Sequence, residues 1–92
     1  MGNVSHRAFA VLERALADRK RVQIRDRRGK AMFAPTEVYN GRITGLLWVD
    51  DGWIVESSTD CGKHSFPIEH LSELVFQNGI LLVCVGYGGY GK

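Results

Sequence analysis

A chain of 92 residues provides one domain with a single modest hydrophobic core. Its 45% apolar and 24% charged residues are ordinary for a globular protein, and its longest apolar run, Ile80 to Val85, is too short to span a bilayer. The N-terminus lacks the apolar stretch of a signal peptide, so we expect a cytoplasmic protein with no membrane partner.

The net charge of +2 hides an uneven distribution along the chain. Residues 1–30 carry nine basic and three acidic side chains, whereas the remainder carries three basic and seven acidic ones. A basic first third favours an anionic partner, or pairing between copies of the chain. Solvation of a helix end and a hairpin accounts for the same charges, and the sequence leaves both explanations open.

The first element predicted is a helix over about residues 4–19, capped by Asn3 or Ser5. Its apolar side chains recur at helical spacing, so it must cover another apolar surface. The alternation in Val22 to Arg25 then predicts a half-buried strand. A turn at Asp26 to Gly29 and a returning strand at Lys30 to Phe33 follow.

A loop from Ala34 to Asn40, with a turn signal at Asn40-Gly41, precedes the remaining strands. These are short and separated by turn clusters, which is typical of a small barrel or sandwich. All five lie within the range 20–86 predicted to hold the strands: Arg42–Val49, Trp53–Ser57, His64–Ile68, Leu71–Phe76 and Ile80–Val85. The glycine-rich tail, residues 87–92, is predicted to be flexible.

Two of these strands show features that a simple half-buried strand does not need. Arg42 to Val49 is apolar on both faces and contains Gly45, which predicts a sharp bend or a close backbone approach. Ile80 to Val85 has no alternation, so we expect it to be buried on both faces. A small barrel has only one interior, so the second face of Arg42–Val49 should be covered by the helix or by another subunit, and that of Ile80–Val85 suggests an oligomer.

The order of these elements resembles the Sm/LSm/Hfq family. The resemblance rests on Gly45 to Asp51 (GLLWVDD), on Trp53-Ile54-Val55, and on Phe66 to Phe76 (FPIEHLSELVF). The glycine and the aspartate six residues later have the spacing of the family's first motif. The run from Ile68 to Val75 is similar to its second motif. The likeness covers roughly residues 5–76.

The resemblance implies a mainly β fold with an N-terminal α-helix: a single Sm-like domain over residues 1–92, a small and strongly bent barrel of five to six antiparallel strands. It also implies a homo-oligomeric ring, closed through edge strands, that binds single-stranded RNA around its pore. By position, Trp53 corresponds to the family's stacking aromatic. Lys63 lies in the loop before the third strand, His64–Ile68, and His70 occupies the corner facing the pore.

The basic residues supply further candidate contacts to RNA. Arg21 and Arg25 share one strand face, and Arg27 and Arg28 follow in the predicted turn. Such cations grip phosphates in a salt-sensitive and largely sequence-blind manner. Among the aromatic residues, Trp48 and Phe66 fit a core or interface position better than a stacking role, whereas Trp53 fits both.

No catalytic constellation is present, so we expect a protein that is not an enzyme and needs no cofactor. Cys61 lies in a polar turn as a free thiol, and Cys84 lies in an apolar strand as a small core residue. Cys61, His64 and His70 have metal-like spacing, but a zinc site needs a fourth ligand, which only Cys84 offers.

The leading hypothesis is therefore a non-enzymatic, Sm-like homo-oligomeric ring that binds single-stranded RNA. The alternative is a protein-interaction module on an oligomeric small barrel with no nucleic-acid role. It would use the apolar strand Ile80–Val85 and the acidic remainder of the chain. It is favoured by the strands that are apolar on both faces and by Glu69-His70, which stands where the family's second motif has arginine and glycine. A monomeric peptide-binding barrel remains a third possibility.

Overall fold

A computed structural model describes residues 6–27 and 36–86 of the chain. The elements are α1 (His6–Asp18), β1 (Arg21–Arg27), β2 (Glu37–Val49), β3 (Gly52–Thr59), β4 (Gly62–Pro67), a short 3-10 helix (Ile68–His70), β5 (Leu71–Gln77) and β6 (Ile80–Gly86). The predicted strand at residues 30–33, the two candidate helix caps and the tail lie outside the described residues.

The six strands form one mixed sheet in the order β4-β3-β2-β1-β6-β5. A mainly β fold with an N-terminal helix is thus confirmed, but the prediction of antiparallel strands throughout is wrong, because β1 and β6 pair in parallel. The most apolar strand, β6, pairs with β1 on one side and with β5 on the other. β5 therefore forms an edge of the sheet. Among the described residues the sheet does not close into a barrel, since β4 and β5 remain as edges.

Two predicted hairpin turns are confirmed, and both have left-handed backbone at their central residues. Asp50 and Asp51 have φ of 51° and 66° and connect β2 to β3. Asn78 and Gly79 have φ of 53° and 79° and connect β5 to β6. Two-residue turns of this kind match the twist of antiparallel strands and favour Asn, Asp and Gly.

The start of β2 differs from the sequence prediction. Residues 37–40 are a strand rather than a loop, because they pair with β1, and Tyr39 lies opposite Ile24. The predicted turn at Asn40-Gly41 is therefore wrong. A Cβ on Gly41 would lie only 1.9 Å from the carbonyl oxygen of Ser58, so this glycine permits a close approach between β2 and β3.

β1 is also longer than predicted, since it includes Asp26 and Arg27. The predicted irregularity near Gly45 is found as a register shift in the β2–β3 pairing between Ile43 and Gly45. An extra residue at such a bulge reverses which face the following side chains occupy. This is why Ile43 and Leu46 both pack on the core side of the sheet.

Helix α1 lies on one face of the sheet, as its apolar stripe required. Leu12 and Ala15 are buried in a core that includes Ile24, Val55 and Val83. We call the face that carries these core residues the helix-side face. The opposite face, which carries Arg21, Arg42 and Lys63 among others, is called the outer face.

The prediction that the strand Ile80–Val85 is buried on both faces is confirmed within a single chain. Leu81, Leu82, Val83 and Val85 of β6 are all buried within one chain. β1 and β5 flank this strand on its two sides, and the helix-side core covers one face. Leu81, Val83 and Val85 face the helix-side core, whereas Leu82 is buried on the outer face, so the apolar run supplies buried side chains to both faces.

Candidate nucleic-acid interface

All five lysine and arginine side chains within the described strands belong to the outer face. Pairing across the sheet aligns Arg21 of β1 with Arg42 of β2, Arg42 with Ser58 of β3, and Ser58 with Lys63 of β4. We call these four residues the cationic row. Arg25 and Arg27 continue the same face of β1, because side chains alternate along a strand.

Hydrogen bonds orient two of these cations. The Arg42 Nε donates to the backbone carbonyl of Arg19 at 3.1 Å, which ties the side chain to the end of α1. The Arg25 Nε donates to the Gln23 side chain at 2.9 Å. The amide of Gln23 donates in turn to Asn40 Oδ1 at 3.3 Å. A polar network thus runs across the outer face between β1 and β2.

In the described ranges 6–27 and 36–86, none of the five strand cations forms a salt bridge, although the carboxylates of Glu56 and Glu73 lie on the same face. Arg21 and Arg42 lie directly opposite each other in an antiparallel pair. Like charges in that arrangement destabilise a sheet. The outer face is therefore an exposed positive surface, suited to a polyanion.

The aromatic residues of the strands lie on the helix-side face. Trp53 packs against Phe9 of α1 with ring centroids 5.0 Å apart, and against Trp48 at 5.2 Å. Trp53 is only partly exposed and borders the core. It does not share a face with the cations, and its predicted role in stacking bases stays a prediction.

The other two aromatic candidates differ from each other. Phe66 is 2% exposed and belongs to the core, as the sequence favoured. Trp48 is 58% exposed, so within a single chain it is not a core residue. It lies at the end of the β2–β3 hairpin with Leu47 and Val49, which are also exposed.

His70 lies in the 3-10 helix, beside a cleft of about 140 Å³ that is also lined by Asp26, Ser65 and Phe66. Asp26 is 1% exposed, and its Oδ2 lies 2.9 Å from Nε2 of His64. The ring of Tyr39 stacks on His64 at 4.4 Å. This polar cluster lies inside the curled sheet, away from the cationic row.

The structure therefore places Arg21, Arg25, Arg27 and Lys63 on one face of the sheet, and Trp53 and His70 elsewhere. Lys63 lies within β4 rather than in the loop predicted to precede it. Arg28 lies outside the described residues. Sequence reasoning missed Arg42 as a site residue. Because Arg42 alternates with the apolar Ile43, the sequence indicates that the two side chains lie on opposite faces of the strand. The position of Arg42 opposite Arg21 depends on the strand register, which the sequence left open.

The free thiol predicted at Cys61 is exposed, and Cys84 is partly buried. Desolvation raises the pKa of both thiols above the ordinary cysteine value. Asp60 and Glu37 raise the pKa of Cys61 further, and Glu73 raises that of Cys84, whereas Arg25 lowers it. A thiol with a raised pKa stays protonated and weakly nucleophilic at neutral pH. The described residues contain no group of three or more His, Cys, Asp or Glu that could hold a metal ion.

Comparison of the chain with protein-family models, curated proteins and solved structures found no match. None of the helices that the structure describes is long and apolar enough to cross a membrane.

Proposed function

We propose that this protein is a non-enzymatic, Sm-like homo-oligomer that binds single-stranded RNA, with the outer face as its phosphate-binding surface. The observation that carries the proposal is the segregation of the strand cations on that face. Arg21, Arg25, Arg27, Arg42 and Lys63 share it without a salt bridge in the described residues.

The pairing of Arg21 with Arg42 favours a bound anion. Two arginines held opposite each other repel, and an anion placed between them removes that repulsion. A flexible single strand can bring several phosphates to a curved positive surface, and each contact releases condensed counterions. Binding of this kind explains a cationic arrangement that costs the free protein stability.

The oligomeric part of the proposal is supported by the sheet edges. β4 and β5 form the two edges among the described strands, and the three residues of the 3-10 helix connect them. On β5, Val75 is 39% and Phe76 is 57% exposed. Edge-to-edge pairing of copies would bury these side chains and satisfy the open backbone groups. A ring would result if the rotation between copies closes.

Solution mass tests both parts of the proposal. Light scattering on a sizing column, with absorbance at 260 and 280 nm, should find a particle of several subunits. After removal of co-purified nucleic acid with nuclease and high salt, added single-stranded RNA should co-elute with that particle at low salt. A monomer would reject the assembly, and failure to retain RNA at low salt would reject the binding function.

A protein-interaction module is the second candidate, favoured by the exposed apolar hairpin end. Leu47, Trp48 and Val49 are 42%, 58% and 46% exposed and adjacent in the chain. Because side chains alternate along a strand, Trp48 lies on the helix-side face and Leu47 and Val49 on the outer face, so this hairpin end is apolar on both sides, which suits contact with another protein. A protein recovered with the wild type after nuclease treatment, and lost with Trp48→Ser, would support this function. Recovery of nucleic acid alone would count against it.

A further inference from the structure

The cationic row has a defined direction, because it crosses the strands rather than following one of them. Arg21, Arg42, Ser58 and Lys63 come from four adjacent strands that pair in register. Since neighbouring strands are about 4.8 Å apart, the row extends about 14 Å across the sheet. Three positive charges and one hydroxyl group thus form a continuous row over the curved outer face.

Carboxylates border this row on both sides. Glu56 precedes Ser58 by two residues on the same face of β3, and its Oε1 would lie 3.2 Å from a Cβ on Gly45. On the other side, Asp60 accepts a hydrogen bond from the backbone amide of Asn40 at 3.3 Å. A phosphate that left the row along β3 would approach a negative charge in either direction.

The row also lacks a surface on which a base could stack. Every aromatic ring of the described strands belongs to the helix-side face: Tyr39, Trp48, Trp53, Phe66 and Phe76. Binders that depend on base stacking present such rings beside their cations. The outer face offers charge and hydrogen bonds to the backbone of a strand, and these contacts carry no sequence information.

We infer that the cationic row binds the phosphodiester backbone of one nucleic-acid strand and does not distinguish its bases or sugars. We call this binding site the track. The strand crosses β1 to β4, with Arg21, Arg42 and Lys63 on successive phosphates and the Ser58 hydroxyl donating between them. Arg42 is the central contact, positioned by the Arg19 carbonyl. This inference rests on the proposed function and identifies the ligand feature that its surface recognises.

Fluorescence anisotropy tests the track with three labelled strands of equal length: an oligouridylate, an oligodeoxythymidylate and an abasic deoxyribose-phosphate strand. The wild type should bind all three within about twofold of one another, since it contacts only the backbone. Arg42→Gln should reduce the magnitude of the slope of log K against log salt by about 0.7, the value for one phosphate contact on a single strand.

Arg7→Gln is the matched control, since Arg7 is an exposed arginine of α1 and lies off the sheet. It should leave the salt slope unchanged. Glu56→Gln should tighten binding, because it removes one of the bordering charges. Circular dichroism and solution mass confirm that each variant keeps the wild-type fold and assembly.

The results of these binding experiments distinguish a failure of the track from a failure of the proposed RNA-binding function. Salt-sensitive binding of oligouridylate that Arg42→Gln leaves unchanged would overturn the track and keep the RNA-binding function. Binding of oligouridylate with loss of the abasic strand would also overturn the track, in favour of base recognition. Absence of binding to all three strands at low salt would overturn both.

Discussion

The His64 Nε2 lies 2.9 Å from the Asp26 Oδ2, and this contact joins β4 to β1 across the interior of the sheet. Two strands, β3 and β2, separate them in the sheet order. The sheet is therefore curled enough for non-neighbouring strands to meet through their side chains. Tyr39 stacks on the histidine ring and completes the contact from β2.

Asp26→Asn should lower the free energy of unfolding by about 1–3 kcal/mol, because it weakens a buried hydrogen bond between the two strands. His64→Phe should also destabilise, and the double variant should lose less than the sum of the two. Urea unfolding of the four proteins measures the coupling. The exposed Glu13→Gln serves as a control. Strictly additive losses would show that the two side chains do not stabilise the fold together.

Gly41→Ala should destabilise the protein by about 1–3 kcal/mol, because the new Cβ would overlap the Ser58 carbonyl oxygen at 1.9 Å. Gly45→Ala is the matched control. Its Cβ would meet the end of the flexible Glu56 side chain at 3.2 Å, so its effect should stay within about 1 kcal/mol. Denaturant unfolding compares them, and equal losses would contradict the close approach of β2 and β3 at Gly41.

Trp53→Ala should lower stability by about 2–4 kcal/mol, since it removes the contacts with Phe9 and Trp48. RNA affinity, measured by anisotropy where the variant is fully folded, should change by less than about twofold, because a stacked base contributes about 1–3 kcal/mol and none is expected at Trp53. A large loss of affinity in a folded variant would instead support the stacking role that the family resemblance implies.

Asp60→Asn should speed alkylation of Cys61 by iodoacetamide. Desolvation and then the Asp60 carboxylate raise the pKa of this thiol, which disfavours the thiolate. Removing the carboxylate lowers the pKa, and more thiolate is then present at a given pH. Both proteins should carry Cys84→Ser, so that a single thiol is measured. An unchanged rate across pH 7 to about 9 would contradict the effect of Asp60.

The sequence predicted the elements whose signals are local. Asp50-Asp51 and Asn78-Gly79 favour left-handed turns, and the unbroken apolar run of β6 indicates burial on both faces. The parallel pairing of β1 with β6 was not predictable, because it depends on competition for the free edge of β1. The resemblance pointed to a barrel of antiparallel strands.

The sequence predicted several residues of the candidate site but not how they are arranged on the sheet. The alternation in β1 placed Arg21 and Arg25 on one face, which the structure confirms. Arg42 was missed because its alignment with Arg21 depends on how far β2 extends toward its N-terminus. Alternation along β3 places Trp53 on the face opposite Ser58 and the cations, and the bulge in β2 between Ile43 and Gly45 brings Trp48 to the same helix-side face as Trp53.

The salt dependence of RNA binding by the unmodified protein tests the central claim most directly. With Arg21, Arg42 and Lys63 each on a phosphate, log K should fall against log salt with a slope of about −2. Affinity should then drop about 18-fold between about 50 and 200 mM salt. A slope near zero, or no binding at the lower concentration, would contradict an RNA-binding function carried by the outer face.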